Sequence, residues 1–187
     1  MKAPIQSSAA SILRGHLVLV GLPGAGKSTI GRAVARKLRR PFVDFDVELE
    51  RRQGMSVTQL FAERGEAAFR ALEVQLTGEL IHTERSVFAP GGGWITNPGV
   101  LALVRPPGRI IHLKVSPAGA LKRLGSARAS RPLLMESSPQ AVLDRLWLTR
   151  EALYALADAE VDTEVVDFQG VANRVVEIAR GLDAAPG

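Results

Sequence analysis

The run "HLVLVGLPGAGKSTIGRAVARKL", residues 16–38, constrains this chain more than any other stretch. "HLVLVG" is continuously apolar, as a strand buried on both faces must be. From Ser28 to about Leu38, Ile30, Ala33, Val34 and Leu38 recur at helical spacing, so a helix follows almost at once. The turn between them carries Gly21, Gly26, Lys27 and Ser28 in the order G-x-x-x-x-G-K-[ST]. Glycines let the backbone wrap its N–H groups around phosphate oxygens, and the helix start adds unpaired donors and a positive dipole end. Lys27 suits β- and γ-phosphates, and the Ser28 hydroxyl suits Mg²⁺. A flexible connector with an accidental lysine is the bland alternative; the setting favours a nucleotide site. Switches, motors and small-molecule kinases all use such a cradle, so the rest of the chain must discriminate among them.

Further apolar runs alternate with helical patterns. "RPFVDFD", "SVFAP", "RIIHLKV" and a weaker "AEVDTE" read as four more strands. Ala68, Leu72, Leu76 and Leu80 put one apolar stripe on a helix between Gly65 and His82, and Val171, Val175, Ile178 and Leu182 mark the last helix. Such alternation predicts an α/β fold with a parallel sheet between two helical layers. The 187 residues suit one domain, here 15–183, after a loose, disordered tail at 1–14 that has no apolar core of signal-peptide length. No run approaches the length of a membrane span. Cysteine is absent, which excludes disulfides and thiolate metal sites and suits a cytoplasmic protein. The net charge of +5 suits anionic metabolites; the basic residues are dispersed and lack interleaved aromatics, which argues against nucleic acid.

Three more segments carry candidate chemistry. Asp44 and Asp46 end the second strand. Two apart on an extended chain, they would face one side, where one serves Mg²⁺ and the other an acceptor hydroxyl; solvated loop carboxylates are the alternative. Arg70 and Glu73 lie three apart on a helix, a spacing typical of a surface salt bridge. Gly91, Gly92 and Gly93 follow the third strand and either admit a ligand close to the backbone or simply turn the chain. "GSARASRPLLMESSPQ" is polar and rich in small residues, as a mobile loop or an ordinary connection would be.

Together "GLPGAGKSTIGR", "FVDFDVELERRQG", "FAERGEAAFRALE", "GGG", "RPLL" and "TREALY" resemble the shikimate kinase family, in order and spacing, from about residue 16 to 180. The resemblance implies a five-stranded parallel sheet of order 2-3-1-4-5 in a P-loop kinase fold, with a lid at about 124–138. It implies a monomeric enzyme that phosphorylates the 3-hydroxyl of shikimate with ATP and Mg²⁺, a step towards chorismate and the aromatic amino acids. Gly24, Ala25, Gly26, Lys27, Ser28 and Thr29 would bind ATP, with Arg123 against adenine and Arg131 reaching the transferring phosphate. Asp46 would hold the acceptor hydroxyls and act as base. Arg70 and Arg150 would clamp the substrate carboxylate beside Gly91, Gly92 and Gly93, and Ser28 and Asp44 would hold the metal. Lys27, Asp46 and Arg131 form the implied catalytic set. Three departures stand out: Trp94 where the family usually has a small residue, a lid about one residue longer between Arg123 and Arg131, and "VVDFQG" in place of a more basic adenine loop. Trp94 suggests an altered pocket wall. A gluconate-kinase-like enzyme and a non-catalytic ligand-sensing domain are the competing readings.

Overall fold

The computed structural model describes residues 15–125 and 138–184. The tail at 1–14 and most of the expected lid, Arg131 included, lie outside the described residues. Five strands form one sheet: β1 (Leu17–Val20), β2 (Phe42–Asp44), β3 (Val87–Ala89), β4 (Arg109–Lys114) and β5 (Ala159–Asp162). Their order is β2-β3-β1-β4-β5, as the resemblance implies, and every pairing is parallel. Successive residues of a strand face opposite sides of a sheet. All four residues of β1 are buried, so both faces are covered there.

The helices are α1 (Lys27–Leu38), α2 (Phe45–Gln53), α3 (Val57–Leu80), α4 (Val100–Val104), α5 (Pro117–Leu124), α6 (Pro139–Tyr154) and α7 (Phe168–Ala184), with a 3₁₀ turn at Trp94–Thr96. The stripe predicted after Gly65 is the second part of α3, where Leu76 and Leu80 are buried. Gly65 itself, at φ 78° and ψ 170°, interrupts the helix. The first part begins at a capping box: Ser56 Oγ accepts from the Gln59 N–H at 3.2 Å, and Gln59 Oε1 accepts from the Ser56 N–H at 2.8 Å.

One predicted boundary is wrong. The second strand stops at Asp44 instead of running through Asp46. Asp44 Oδ1 accepts the backbone N–H groups of Asp46 at 3.2 Å and Val47 at 3.5 Å, which makes it the N-cap of α2. Phe45, the first helical residue, is fully buried and meets Phe88 of β3 at a ring separation of 5.7 Å. That burial fixes the chain's turn out of the sheet. The two aspartates therefore share no extended strand face.

A parallel sheet gathers ligands where strand connections diverge, at the carboxyl ends. Here β1 leads into the Gly21–Gly26 turn and its neighbour β3 leads into Gly91–Gly93. The two glycine loops touch: a Cβ at Gly92 would lie 3.1 Å from Pro23 Cδ.

Candidate active site

A cleft of about 530 Å³ opens at this junction. Gly24, Ala25, Gly26, Lys27, Ser28 and Thr29 all line it, and Gly91, Gly92, Asp44 and Asp46 face them. The turn takes its shape from its glycines. Gly24 has φ 87°, and a Cβ there would come 2.7 Å from the Ala120 carbonyl oxygen. Gly26 caps α1 in the left-handed region at φ 90°, with no side chain over the helix's first N–H groups. Lys27 is buried, and its Nζ donates to the carbonyls of Gly21 at 2.9 Å and Leu22 at 3.1 Å. The ammonium is thus held by the loop's own carbonyls at the uncapped start of α1, where helix N–H groups and positive charge together suit polyphosphate.

Asp44 and Asp46 line one cleft although the predicted reason fails. Asp44 caps α2 and Asp46 projects from that helix's first turn, so a cap replaces strand alternation. Beside them, a Cβ at Gly91 would lie 3.2 Å from Asp46 Oδ1 and 2.8 Å from Glu73 Oε1. Two carboxylates therefore crowd the backbone of the second glycine loop.

Arg70 and Arg150 converge on that loop from α3 and α6. The Arg70 guanidinium lies so close to Gly93 that a Cβ there would fall 2.1 Å from its Nη2. Its Nη1 donates to Glu73 Oε2 at 2.6 Å and its Nη2 to Glu66 Oε1 at 2.8 Å, and it lies over the Phe69 ring at 5.6 Å. The pair expected on the surface is not there, because Glu73 has no exposed area. Burial pushes the Glu73 carboxyl above the usual range, against the pull of Arg70, and the charge of Asp46 adds to the rise. Asn97 Nδ2 donates to Glu73 Oε2 at 3.2 Å, whereas Oε1 is buried without a hydrogen bond. Arg150 is buried in turn, and its Nη1 donates to the Gly92 carbonyl at 2.9 Å. Neither arginine lines the cleft shared by Lys27 and Asp46; both stand behind the glycine loop.

At the other end of the cleft, Arg123 donates through Nη1 to Thr163 Oγ1 and through Nη2 to the Thr163 carbonyl, both at 2.6 Å. Val166, Phe168 and Val171 complete an apolar wall, so the "VVDFQG" segment does border the site. Trp94 corrects another expectation. Its indole is buried and donates to Thr77 Oγ1 at 2.9 Å, and it is not among the cleft's lining residues. Sequence reasoning missed Glu73 as a buried anchor, Asn97 and Thr163. Only the first had a visible signal, since Glu66, Arg70 and Glu73 stand at helical contact spacing.

Comparison with known proteins agrees with this geometry. The shikimate kinase family profile matches residues 23–180. A shikimate kinase of Burkholderia pseudomallei is 39% identical over 162 residues, covering 86% of this chain and 88% of that protein. One from Synechococcus is 42% identical over 158 residues, covering 84% and 83%. The structure of shikimate kinase from Acinetobacter baumannii in complex with shikimate superposes with a TM-score of 0.86 at 30% identity, over 92% of this chain and 96% of that one. A gluconokinase from Sinorhizobium meliloti, 16% identical with a TM-score of 0.62, shares the fold alone. Profile, identity and superposition cover the same span as the two glycine loops and the residues around them, and the chain belongs to the shikimate kinase family.

Proposed function

We propose a division of labour for the ATP-dependent phosphorylation of shikimate that a member of this family carries out. The observation that carries it is the contact between the two glycine loops, which sets the phosphate cradle against the arginine-backed acceptor wall. In this reading the cradle holds the polyphosphate and Lys27 offsets charge on the β- and γ-phosphates. Arg70 and Arg150 hold the substrate carboxylate, for which a guanidinium fork is the matching shape. The Gly91–Gly93 backbone bounds the ring, and Asp46 orients the 3-hydroxyl and takes its proton as the oxygen attacks the γ-phosphorus. Arg131 brings positive charge to the transferring group, and a closed lid keeps water from competing with shikimate. Arg123 and the wall from Val166 to Val171 border the adenine.

Ser28 and Asp44 would hold Mg²⁺. Both line the cleft, and both hydrogen bonds that Asp44 accepts as a cap go to Oδ1. Among the described residues no group of three or more His, Cys, Asp or Glu side chains forms a metal cage. That suits an ion that keeps waters and phosphate oxygens as its other ligands. When bound, Mg²⁺ supplies charge neutralisation to the phosphates. We take the enzyme to work as a cytoplasmic monomer; no helix among the described residues is long and apolar enough to cross a membrane.

A coupled ADP-release assay with shikimate and with gluconate tests the reading. ADP release that depends on shikimate is expected. Release driven by gluconate instead would favour the sugar-acid kinase. Shikimate binding by calorimetry with no release would favour a sensor.

A further inference from the structure

We propose that Tyr154 is a positioning residue for the Arg150 guanidinium, and that its own position is set by stacking on His112.

The two arginines behind the glycine loop are held differently. Arg70 meets two glutamates, Glu66 and Glu73. Arg150 is only 5% exposed, yet among the described residues it meets no carboxylate, and its one hydrogen bond is to the Gly92 carbonyl. A guanidinium has five N–H donors in a rigid fork, and a single hydrogen bond fixes only one of them. A second fixed acceptor is needed to orient it.

Tyr154 supplies one. It follows Arg150 by four residues on α6, so the two side chains share a helix face. Its hydroxyl is buried and makes no hydrogen bond of good geometry within the protein. Arg150 is the cation beside it, and burial pushes the phenol up against the pull of that charge, so the hydroxyl stays protonated at working pH. A guanidinium can only donate, which leaves the phenolic oxygen as the acceptor.

The ring cannot drift. It stacks on His112 at a centroid distance of 4.4 Å and an interplanar angle of 8°, and Trp147 stands 6.1 Å from both rings. His112 belongs to β4, pairs in register with Val20 and meets Glu160 Oε2 through Nδ1 at 3.0 Å. Burial holds this histidine neutral, so Nδ1–H is the donor to the glutamate. The position of the phenolic oxygen therefore traces back through a flat stack to β4, the strand beside the sheet's central one.

The inference rests on the reading of Arg150 as a carboxylate clamp, and the experiment separates the two. Tyr154→Phe keeps the stack and deletes the acceptor. Shikimate Kd should rise about three- to tenfold, the range of one net hydrogen bond, with ATP affinity unchanged. Arg150→Ala should weaken shikimate more, and adding Tyr154→Phe to it should cost nothing further, because the tyrosine acts through the arginine. Calorimetry reads all three variants on their folded fraction, so a lowered melting temperature does not obscure the result. If Arg150→Ala leaves shikimate binding intact, the clamp reading fails. If Arg150→Ala weakens binding and Tyr154→Phe does not, or the two effects add, the positioning role is overturned while the clamp stands.

Discussion

The donor and acceptor halves of the cleft are built on different principles. The donor half is one contiguous stretch, Gly21 to Thr29, whose working groups are mostly backbone and whose shape follows from where its glycines stand. The proposed acceptor half draws Asp46 and the Gly91–Gly93 loop from the cleft wall and Arg70 and Arg150 from behind that loop, four separate elements whose proposed working groups are mostly side chains. Backbone geometry is settled once the local turn forms. A side-chain site must also be held by neighbours that do not touch the ligand, such as Glu73, Glu66 and Asn97. The donor half should therefore fail abruptly when a key group is lost. The acceptor half should fail by degrees, as supports are withdrawn.

The strongest test of that contrast is Lys27→Ala. It removes the cradle's buried cation and should lower kcat by at least about 10²- to 10³-fold, as the loss of a preorganised charge contact does. Shikimate binding to the free protein should barely change. A loss of shikimate affinity as large as the loss of turnover would break the division between the halves.

Gly93→Ala probes the other side with a smaller effect. At φ −93° the backbone accepts alanine, but the new Cβ displaces the end of the Arg70 side chain. A charge-assisted hydrogen bond left unmade costs about 1.5–3 kcal/mol, so shikimate Kd should rise roughly 10- to 150-fold. ATP affinity and folding should be preserved. Calorimetry with each ligand measures this, and equal losses for both ligands would show that the halves are not separable.

The smallest effect belongs to the sheet beneath both halves. Burial lowers the His112 pKa below its ordinary value near 6.5. As pH falls through that value the unfolded chain takes up a proton that the folded chain refuses, so stability present above pH about 6.5 is lost below it. His112→Phe keeps an aromatic partner for Tyr154 and should flatten the fall in melting temperature between pH 7 and 5.5. Ligand affinities at pH 7.5 should stay near wild type. An unchanged slope would place the acid sensitivity elsewhere.

The same contrast explains what was legible. The cradle could be read directly, because a contiguous motif carries its own geometry. The sheet order came through family resemblance, and the proposed arginine clamp rests on it too, since residues 80 apart in sequence announce no contact. The end of β2 was misread because a carboxylate that caps a helix and one that ends a strand look alike until Phe45 is known to be buried. The Ser56–Gln59 capping box was in plain view, but the stronger apolar stripe after Gly65 drew the helix start to itself. Trp94 suggests an altered pocket wall because it stands where the family usually has a small residue, and nothing in the order of residues says that its indole turns to Thr77. Spacing pairs Arg70 with Glu73, but only the packed structure shows that the glutamate lies on the dry side.

The interruption at Gly65 has a consequence in time. Before it, Val57–Arg64 buries only Leu60, whereas the longer piece beyond it buries Phe69, Glu73, Leu76, Thr77 and Leu80. Amide protons exchange with solvent through the smallest opening that frees them, and an opening need not cross a broken helical ladder. The first piece is tied to α2, where Glu50 Oε1 accepts the Val57 N–H at 2.9 Å and Gln53 Oε1 accepts from Arg64 Nη1 at 2.8 Å. The 57–64 amides should therefore exchange faster than those of the 66–80 piece that carries Arg70 and Glu73, whereas α2, with Phe45 and Leu49 buried and Arg52 paired with Glu79, is tied to both pieces. Of the groups proposed for the acceptor side, Arg70 thus sits on the piece of α3 expected to open last.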